Sequence, residues 1–396
     1  MPSVPGTLLA LLGPGIGELP LPALIEQVAA LLASQDGIQV DRMSWSVPVL
    51  HPSVRAHQLI WRRDQAVEEV ERSWDTSRAA FADSPIGHLY QGKATSLRQR
   101  LDPGEPRTFA YPFYDELAAM GFTDYFIALE AAADPFERGP ISWATRRPGG
   151  FTDEHVGLLR ALLPLLALLL RLEAHRRRGR GLLEIYLGRD AASQVLDGRI
   201  RRGDLVEMDA AICFCDIRNF TAMSAHTTNQ KLLHVLDDVF DAVVGAAEAE
   251  SGLVLKFIGD AVLVVFREGS EGGGAAARAL RAARDGLARL EDRNRVRVAA
   301  GEPELHIGFG LHFGRVSYGN VGGPARLDFT VIGNDVNFAS RIEGLCRTLA
   351  ARIVTTEALY ERLPEADRRS LRDAGPQVLK GVEAPASVWI CDRSCG

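Results

Sequence analysis

Cysteine is scarce in this chain, with only five residues among 396. Their odd number, and the position of Cys213 and Cys215 inside an apolar run, predict reduced thiols in a cytoplasmic protein and argue against a disulfide framework. An excess of basic charge is also missing, because 51 acidic residues outnumber 45 basic ones. This balance predicts no broad binding of nucleic acid.

A long uninterrupted apolar run is absent as well. The longest run, residues 161–170, contains Pro164 and falls short of the ~20 residues that span a bilayer. Residues 1–17 have no charged segment that leads into an apolar stretch, so no signal peptide is predicted. Together these absences predict a chain without a membrane span.

The residues that are present indicate three regions. We predict a regulatory domain over residues 1–156, a helical linker over 157–205 and a catalytic domain over 206–396. Leucines at helical spacing in the linker are compatible with a parallel coiled coil or with a single helix that covers the core of the first domain. Gly179-Arg180-Gly181 is expected to interrupt this helix.

The first region combines helical and strand-like patterns. We predict helices at 21–34 and 65–80, strands at 126–129 and 141–144, and a turn at 133–135. Phe151-Thr152-Asp153-Glu154 then begins a long helix, with Thr152 or Asp153 as its N-cap. Strands followed by this motif and an apolar helix resemble the end of a GAF-type sensor domain. The resemblance implies an α/β fold that binds a small-molecule regulator.

The C-terminal region alternates strands and helices in the order βαββαβ, which predicts an α+β, ferredoxin-like sheet with helices on one face. The strands are expected at 209–217, 253–258, 261–267, 304–312, 315–321, 327–332 and 352–355, and the helices at 229–251, 273–293 and 334–349, before a short helix and two late strands. Gly259-Asp260 is a two-residue hairpin signal, and this turn would place Asp260 beside Asp216.

Asp216 and Asp260 are the most informative residues of this region. Asp216 ends an apolar strand-like run and Asp260 separates two of them, and a carboxylate at the tip of a buried strand is costly unless an opposite charge meets it. Two such carboxylates are suited to divalent metal ions that assist phosphoryl transfer. An isolated aspartate more often caps a strand or a turn, but the matched pair favours metal.

Five separated motifs in the C-terminal region resemble the catalytic domain of class III nucleotidyl cyclases. In chain order they are Phe214-Cys215-Asp216-Ile217-Arg218-Asn219-Phe220-Thr221, Lys256-Phe257-Ile258-Gly259-Asp260, Gly308-Phe309-Gly310-Leu311-His312-Phe313-Gly314, Gly319-Asn320-Val321-Gly322, and Thr330-Val331-Ile332-Gly333-Asn334-Asp335-Val336-Asn337-Phe338-Ala339-Ser340-Arg341. The resemblance covers residues 206–391, about half of the chain.

The resemblance implies an adenylyl cyclase that converts ATP into 3′,5′-cyclic AMP and pyrophosphate with two Mg²⁺ or Mn²⁺ ions per site. The residues that match the family's site are Asp216, Ile217 and Asp260 for the metal ions, Asn337 and Arg341 for catalysis, and Phe220, Thr221 and Lys380 for the phosphates. Asn337 and Arg341 are four residues apart and therefore share one face of a helix. A surface asparagine and an ion-paired arginine are the alternative for that pair.

Lys256 and Thr330 match the pair that selects the base. Lysine only donates hydrogen bonds, which suits N1 of adenine, whereas N1 of guanine carries a proton. This difference favours ATP over GTP by the ~1–3 kcal/mol that an unpaired buried group costs. Many members of the family have aspartate in place of Thr330, and a threonine there resembles a bicarbonate-responsive subgroup. Bicarbonate stimulation is therefore a hypothesis, which unchanged turnover in a bicarbonate titration would refute.

The family forms its site between two catalytic domains. One complete set in this chain implies a C2 homodimer, in which Asp216 and Asp260 of one subunit face Lys256, Thr330, Asn337 and Arg341 of the other. Two alternatives stay open, a guanylyl cyclase and a catalytically silent module that binds nucleotide and regulates a partner. A diguanylate cyclase is set aside, because the chain has no Gly-Gly-Asp/Glu-Glu-Phe motif.

Overall fold

The computed structural model describes residues 6–74, 81–130, 138–269 and 274–391. The chain divides into two units, Met1–Ile185 and Tyr186–Gly396. The division falls inside the predicted linker, residues 157–205, because most of the helix in that linker packs into the core of the first unit.

A six-stranded antiparallel sheet is the centre of the first unit. Its strands are β1 Arg42–Pro48, β2 Val54–Arg62, β3 Glu68–Ser73, β4 Ser96–Arg100, β5 Asp124–Ala128 and β6 Ile141–Thr145, in the order β3-β2-β1-β6-β5-β4. The helices are α1 Gly6–Leu11, α2 Leu21–Gln35, α3 Pro85–Tyr90, α4 Pro112–Ala119 and α5 Asp153–Leu187. Met43 and Trp45 of β1 pack in one core with α2 and α5, while Tyr125 and Ile127 of β5 pack in another with α3 and α4.

For the residues before α5, three predictions are confirmed and one is wrong. The helix at 21–34 and the strands at 126–129 and 141–144 correspond to α2, β5 and β6. The polar helix predicted at 65–80 is wrong, because residues 68–73 form β3, whose ladder with β2 outweighs the helix propensity of its glutamates. Residues 75–80 and the turn predicted at 133–135 lie outside the described residues. The GAF-like identity of this unit stays a prediction.

Helix α5 starts where the sequence predicts and runs further without a break. The Thr152 hydroxyl accepts the backbone N–H of His155 at 3.1 Å, so Thr152 is the N-cap. The interruption expected at Gly179-Arg180-Gly181 is wrong; the helix ends at Leu187, and Gly188 follows with a positive φ of 81°.

The apolar residues of α5 cover the core of the first unit, as in the single-helix interpretation. Buried members include Val156, Leu159, Leu162, Leu166 and Leu170. By length and composition alone α5 is apolar enough to cross a membrane, with a mean hydropathy of 1.8 over 18 residues, in contrast to the shorter run considered in the sequence. Only 39% of that window is buried inside the structure, and a coiled coil stays a prediction.

The second unit contains an eight-stranded sheet. Its strands are β7 Leu205–Ile217, β8 Leu253–Ile258, β9 Ala261–Arg267, β10 Ile307–Gly323, β11 Arg326–Ile332, β12 Ile353–Thr356, β13 Arg372–Gln377 and β14 Ala386–Cys391. The order is β13-β14-β12-β10-β7-β9-β8, with β11 paired to β10. Strands β10, β7, β9 and β8 therefore have the predicted ferredoxin-like order, and the other strands extend it.

Helices cover both faces of this sheet, and not one face as predicted. The helices are α6 Arg189–Leu196, α7 Phe220–Ser224, α8 Asn229–Ala249, α9 Ala275–Ala299, α10 Asn334–Thr348, α11 Glu357–Tyr360 and α12 Glu365–Arg368. Alternate residues of β7 point to opposite faces, so that Cys213 and Cys215 pack with α8 and α9, whereas Ile212 and Phe214 pack in a cluster with residues of α6 and α10.

Two further expectations need correction. The strands predicted at 304–312 and 315–321 form one strand, β10, because Gly314 continues the ladder with β7. Cys213, Cys215 and Cys346 are free and buried, as expected for reduced thiols, but Cys391 is disulfide-bonded.

Candidate active site

The chain brings Asp216 and Asp260 together at one end of the second sheet. Asp216 is the penultimate residue of β7, and the pairing of Cys215 with Val262 aligns that strand with β9. Ile258 pairs with Ala261, which leaves Gly259 and Asp260 as a two-residue turn with a φ of 65° at the glycine. The two carboxyl groups are hydrogen-bonded to each other. The predicted juxtaposition is confirmed.

The electrostatics of this acidic pair are unfavourable without a cation. Burial, the hydrogen bond to Asp260, and the negative charges of Glu343 and Asp260 raise the pKa of Asp216 to about 7, while Arg218 acts in the opposite direction. Two adjacent carboxylates resist simultaneous ionisation because their charges repel. A divalent cation would remove this repulsion.

Arg218 and Glu343 lie close enough to Asp216 to shift its pKa, and sequence reasoning missed both residues. Arg218 Nη1 lies 3.5 Å from Glu343 Oε1, and burial raises the pKa of Glu343. Two glycines of β10 make room for this contact. A Cβ on Gly308 would lie 2.0 Å from Arg218 Nη2, and one on Gly310 would lie 2.3 Å from the backbone nitrogen of Glu343. Glycines at alternate positions of a strand were the available signal.

The donor set fits a hard cation that shares its ligands with a substrate. Asp216 and Asp260 supply carboxylate oxygens, and Ile217, whose side chain is 3% exposed, can contribute only its backbone carbonyl. Among the residues that the structure describes, no group of three or more His, Cys, Asp or Glu side chains could hold a metal ion. Mg²⁺ commonly binds one or two carboxylates together with phosphate oxygens and water, so two carboxylates are sufficient.

Lys256 contacts the strand that carries the other predicted base-selecting residue. Its ammonium group forms an ion pair with Asp328 of β11. Thr330 lies two residues further along the same strand and therefore on the same face, and it is 7% exposed. Asp328 was missed in the sequence, although its spacing of two from Thr330 was visible.

Asn337 and Arg341 lie on the exposed face of α10, one helical turn apart, as predicted. Arg341 Nη1 donates to the backbone oxygen of Gly381 at 3.4 Å, which brings the exposed Lys380 and its loop close to this face. Within the described part of the chain, no hydrogen bond or ion pair joins Asn337 or Arg341 to the acidic pair.

Phe220 and Thr221 begin α7, a helix of five residues. Phe220 is partly buried against the core formed with α8 and α9, whereas Thr221 is exposed. The preceding residue, Asn219, has a left-handed conformation with a φ of 60°, which turns the chain from β7 into the helix. The side chain of Phe220 therefore anchors this turn, and backbone N–H groups are left to meet a phosphate.

His312 and Asp335 hold the start of α10, and sequence analysis did not single them out. His312 Nδ1 lies 2.9 Å from Thr356 Oγ1, and its Nε2 lies 3.5 Å from Asp335 Oδ1. Asp335 Oδ2 also accepts the backbone N–H of Arg315 at 2.8 Å. Burial lowers the pKa of His312. Since Asp335 precedes Asn337 by two residues, these contacts help to fix the position of the helix turn that carries Asn337.

Comparison with known proteins matches the part of the chain that contains this site to a protein family. The family model described as the adenylate and guanylate cyclase catalytic domain matches residues 207–391. An adenylate cyclase of Anabaena cylindrica is 33% identical over 180 residues, which cover 45% of this chain and 36% of the relative. Adenylate cyclase 1 of Rhizobium meliloti (strain 1021) is 30% identical over 176 residues, which cover 44% of this chain and 26% of the relative.

The matched segments are thus only 36% and 26% of the length of these two curated relatives. Among solved structures, the adenylyl cyclase CyaB from P. aeruginosa is 28% identical, with a TM-score of 0.42. That match covers 49% of this chain and 100% of the other.

Proposed function

Since residues 207–391 match the family model of the adenylate and guanylate cyclase catalytic domain, we propose that this chain is a class III adenylyl cyclase. The ribose 3′-oxygen of ATP attacks the α-phosphorus, its proton is released, and the bond to the leaving pyrophosphate breaks to give 3′,5′-cyclic AMP. The observation that carries this proposal is the acidic pair at the end of the sheet. Its two carboxylates repel each other unless a cation is bound, and a nucleoside triphosphate binds together with such a cation.

The residues of this chain have separate tasks in that reaction. Asp216, Asp260 and the Ile217 carbonyl would hold two Mg²⁺ or Mn²⁺ ions, which lower the pKa of the 3′-hydroxyl and neutralise phosphate charge. The guanidinium of Arg341 stabilises charge on the α-phosphate, and Asn337 orients the ribose. The backbone at Phe220 and Thr221 meets phosphate oxygens, and Lys380, close to Arg341, meets the terminal phosphates.

Asp328 adds a positioning residue to the base-selecting pair. An ammonium group has three donors, so Lys256 can keep its ion pair with Asp328 and still donate to N1 of adenine. Thr330 accepts from the 6-amino group. Asp328→Asn is expected to reduce the preference for ATP over GTP several-fold, measured as the ratio of kcat/KM values, with Asp373→Asn as an exposed control. An unchanged ratio would show that Asp328 has no part in the choice between ATP and GTP.

We propose that the active site forms between two subunits, because Asn337 and Arg341 form no hydrogen bond or ion pair with the acidic pair among the described residues of one chain. Mixing Asp216→Ala with Asn337→Ala protomers, each inactive alone, would restore one intact site in each mixed dimer. Random pairing of equal amounts predicts roughly a quarter of the wild-type activity. No recovery in a mixture shown to exchange subunits would disprove the shared site.

We also propose that the first unit is regulatory, that it responds to a small molecule, and that the enzyme is cytoplasmic. These assignments follow from the sequence resemblance and the composition of the chain.

Product analysis is the decisive experiment. The purified chain would be incubated with equimolar ATP and GTP and with Mg²⁺ or Mn²⁺, beside Asp260→Ala. Cyclic AMP that disappears in the variant supports the proposal. Cyclic GMP would contradict the choice of base while keeping the metal site, and no product with either metal, for the full chain and for residues 186–396, would favour a silent regulatory module.

A further inference from the structure

Arg42 of the first unit carries a buried charge that the described chain does not neutralise. The residue begins β1 and is 5% exposed. Its Nη1 atom is buried without a hydrogen-bond partner, and no carboxylate of the described residues forms an ion pair with its guanidinium. Burial also lowers the pKa of Arg42. A buried charge in this state is strongly destabilising, and such groups are retained when they serve another purpose.

The groups around Arg42 cannot supply the missing negative charge. Cross-strand pairing places Arg62 directly beside it on the same face of the sheet. The nearby Glu68 is already bound to Arg62 at 2.8 Å, and Gln58 accepts from Arg72 at 2.8 Å. Arg62 and Arg72 repel the charge of Arg42, whereas Tyr125 and Glu68 act in the opposite direction. Glu68 is shared with Arg62, so an anion from outside the chain would give Arg42 a partner of its own.

Aromatic rings and hydroxyl groups complete the surroundings. The Arg42 guanidinium lies 5.5 Å from the centre of the Phe113 ring, which packs edge-on against Tyr125 at 5.4 Å. The Tyr125 hydroxyl is hydrogen-bonded to Ser142, and the Tyr114 hydroxyl is buried without a hydrogen-bond partner. A ligand with a negative group and an apolar body matches this combination better than an inorganic ion.

We propose that Arg42 anchors a binding site for a small organic carboxylate in the first unit. The planar guanidinium presents a fork of N–H donors that matches the two oxygens of a carboxylate, and the ligand supplies the charge that the chain lacks. The Phe113 ring beside Arg42 is only partly buried. The proposal is independent of the cyclase activity, because it is tested by the stability of the first unit.

The first test compares Arg42→Met with Arg62→Met in the full chain. Thermal melts are followed by tryptophan fluorescence, since Trp45, Trp61, Trp74 and Trp143 lie in the first unit and only Trp389 in the second. Without added carboxylate, Arg42→Met is expected to raise Tm by at least about 2 °C, and Arg62→Met to leave it unchanged or lower it. A lower Tm for Arg42→Met would show a structural role and overturn the proposal.

The second test adds acetate or benzoate at constant ionic strength, with chloride and the neutral benzamide as controls. The carboxylates are expected to raise the Tm of the wild type, benzoate more than acetate, and to leave Arg42→Met unchanged. Arg42→Lys, which keeps the charge without the fork, should respond more weakly and covers the case that the methionine variant fails to fold. Equal responses of wild type and variants, or none in the wild type, would overturn the proposal.

Discussion

The two units leave charge unneutralised in opposite ways. In the second unit two carboxyl groups, Asp216 and Asp260, meet each other at a sheet end. In the first unit Arg42 is buried with an unpartnered Nη1 atom and forms no ion pair with an acid of the described residues. Other buried charges form ion pairs, as in Asp124 with Arg98 at 2.9 Å and Asp238 with Arg297 at 2.6 Å. The contrast indicates that an unpaired charge marks a place where another molecule binds.

The substitution with the largest expected effect on this comparison is Asp260→Asn. Loss of a metal ligand is expected to reduce cyclic AMP formation on the order of 1000-fold. The same change removes the repulsion with Asp216, so the metal-free variant should melt at a higher temperature than the wild type at pH 8. Activity assays and thermal melts with and without Mg²⁺ measure both effects, and Asp285→Asn, at a surface ion pair, is the control.

The sign of the pH effect follows from the raised pKa of Asp216. A carboxyl group whose pKa is about 7 in the folded state and 3.8 otherwise is destabilising when ionised. The metal-free protein should therefore lose stability as the pH rises from about 4 to 7, and Asp260→Asn should weaken this slope. A metal-free variant less stable than the wild type at pH 8 would show that the acidic pair is structural.

Asp124, the ion-paired carboxylate of the first unit, should have the opposite effect on stability: its neutralisation is expected to destabilise the protein. Asp124 is fully buried; its Oδ2 accepts from Arg98 and from the backbone of Phe151 at 3.0 Å. Asp124→Asn is expected to reduce the free energy of unfolding by about 3 kcal/mol, because a buried pair is broken. Urea unfolding followed by tryptophan fluorescence measures the change, with the exposed Asp115→Asn as control. An unchanged free energy of unfolding would contradict the distinction between paired and unpaired buried charges.

The smallest expected effect concerns His312 of the second unit. Its pKa is lowered by burial, while Asp335 opposes the shift, so the imidazole is neutral in the folded protein. The unfolded chain takes up the proton first as the pH falls below about 6.5, and stability declines there. His312→Gln should flatten this decline between pH 7 and 5.

Thermal melts at several pH values test this last prediction, with the exposed His306→Gln as the control. A KM that is unchanged while kcat falls would support the role of His312 in positioning Asn337. Wild-type pH dependence in the variant would leave His312 as a packing residue.

Much of the second unit could be predicted because its signals are local. Apolar alternation and the Gly259-Asp260 turn determine β8, β9 and the position of Asp260. The same reasoning failed at residues 68–73, where glutamates favour a helix but pairing with β2 forms a strand. It also failed at Gly314, where a glycine that suggests a turn serves instead to admit Asp335, since a Cβ would lie 2.2 Å from Asp335 Oδ2.

By itself the sequence determined which residue types can hold metal and phosphate, since the spacing within Asp216-Ile217 and from Asn337 to Arg341 is set along one strand end and one helix. Only the tertiary structure decided which charges have partners. Asp328 meets Lys256, Glu343 meets Arg218, and Arg42 meets no acid among the described residues, because these relations depend on strands and helices distant in the chain. Charge pairing acts over a few ångströms in space, and sequence order does not encode that distance.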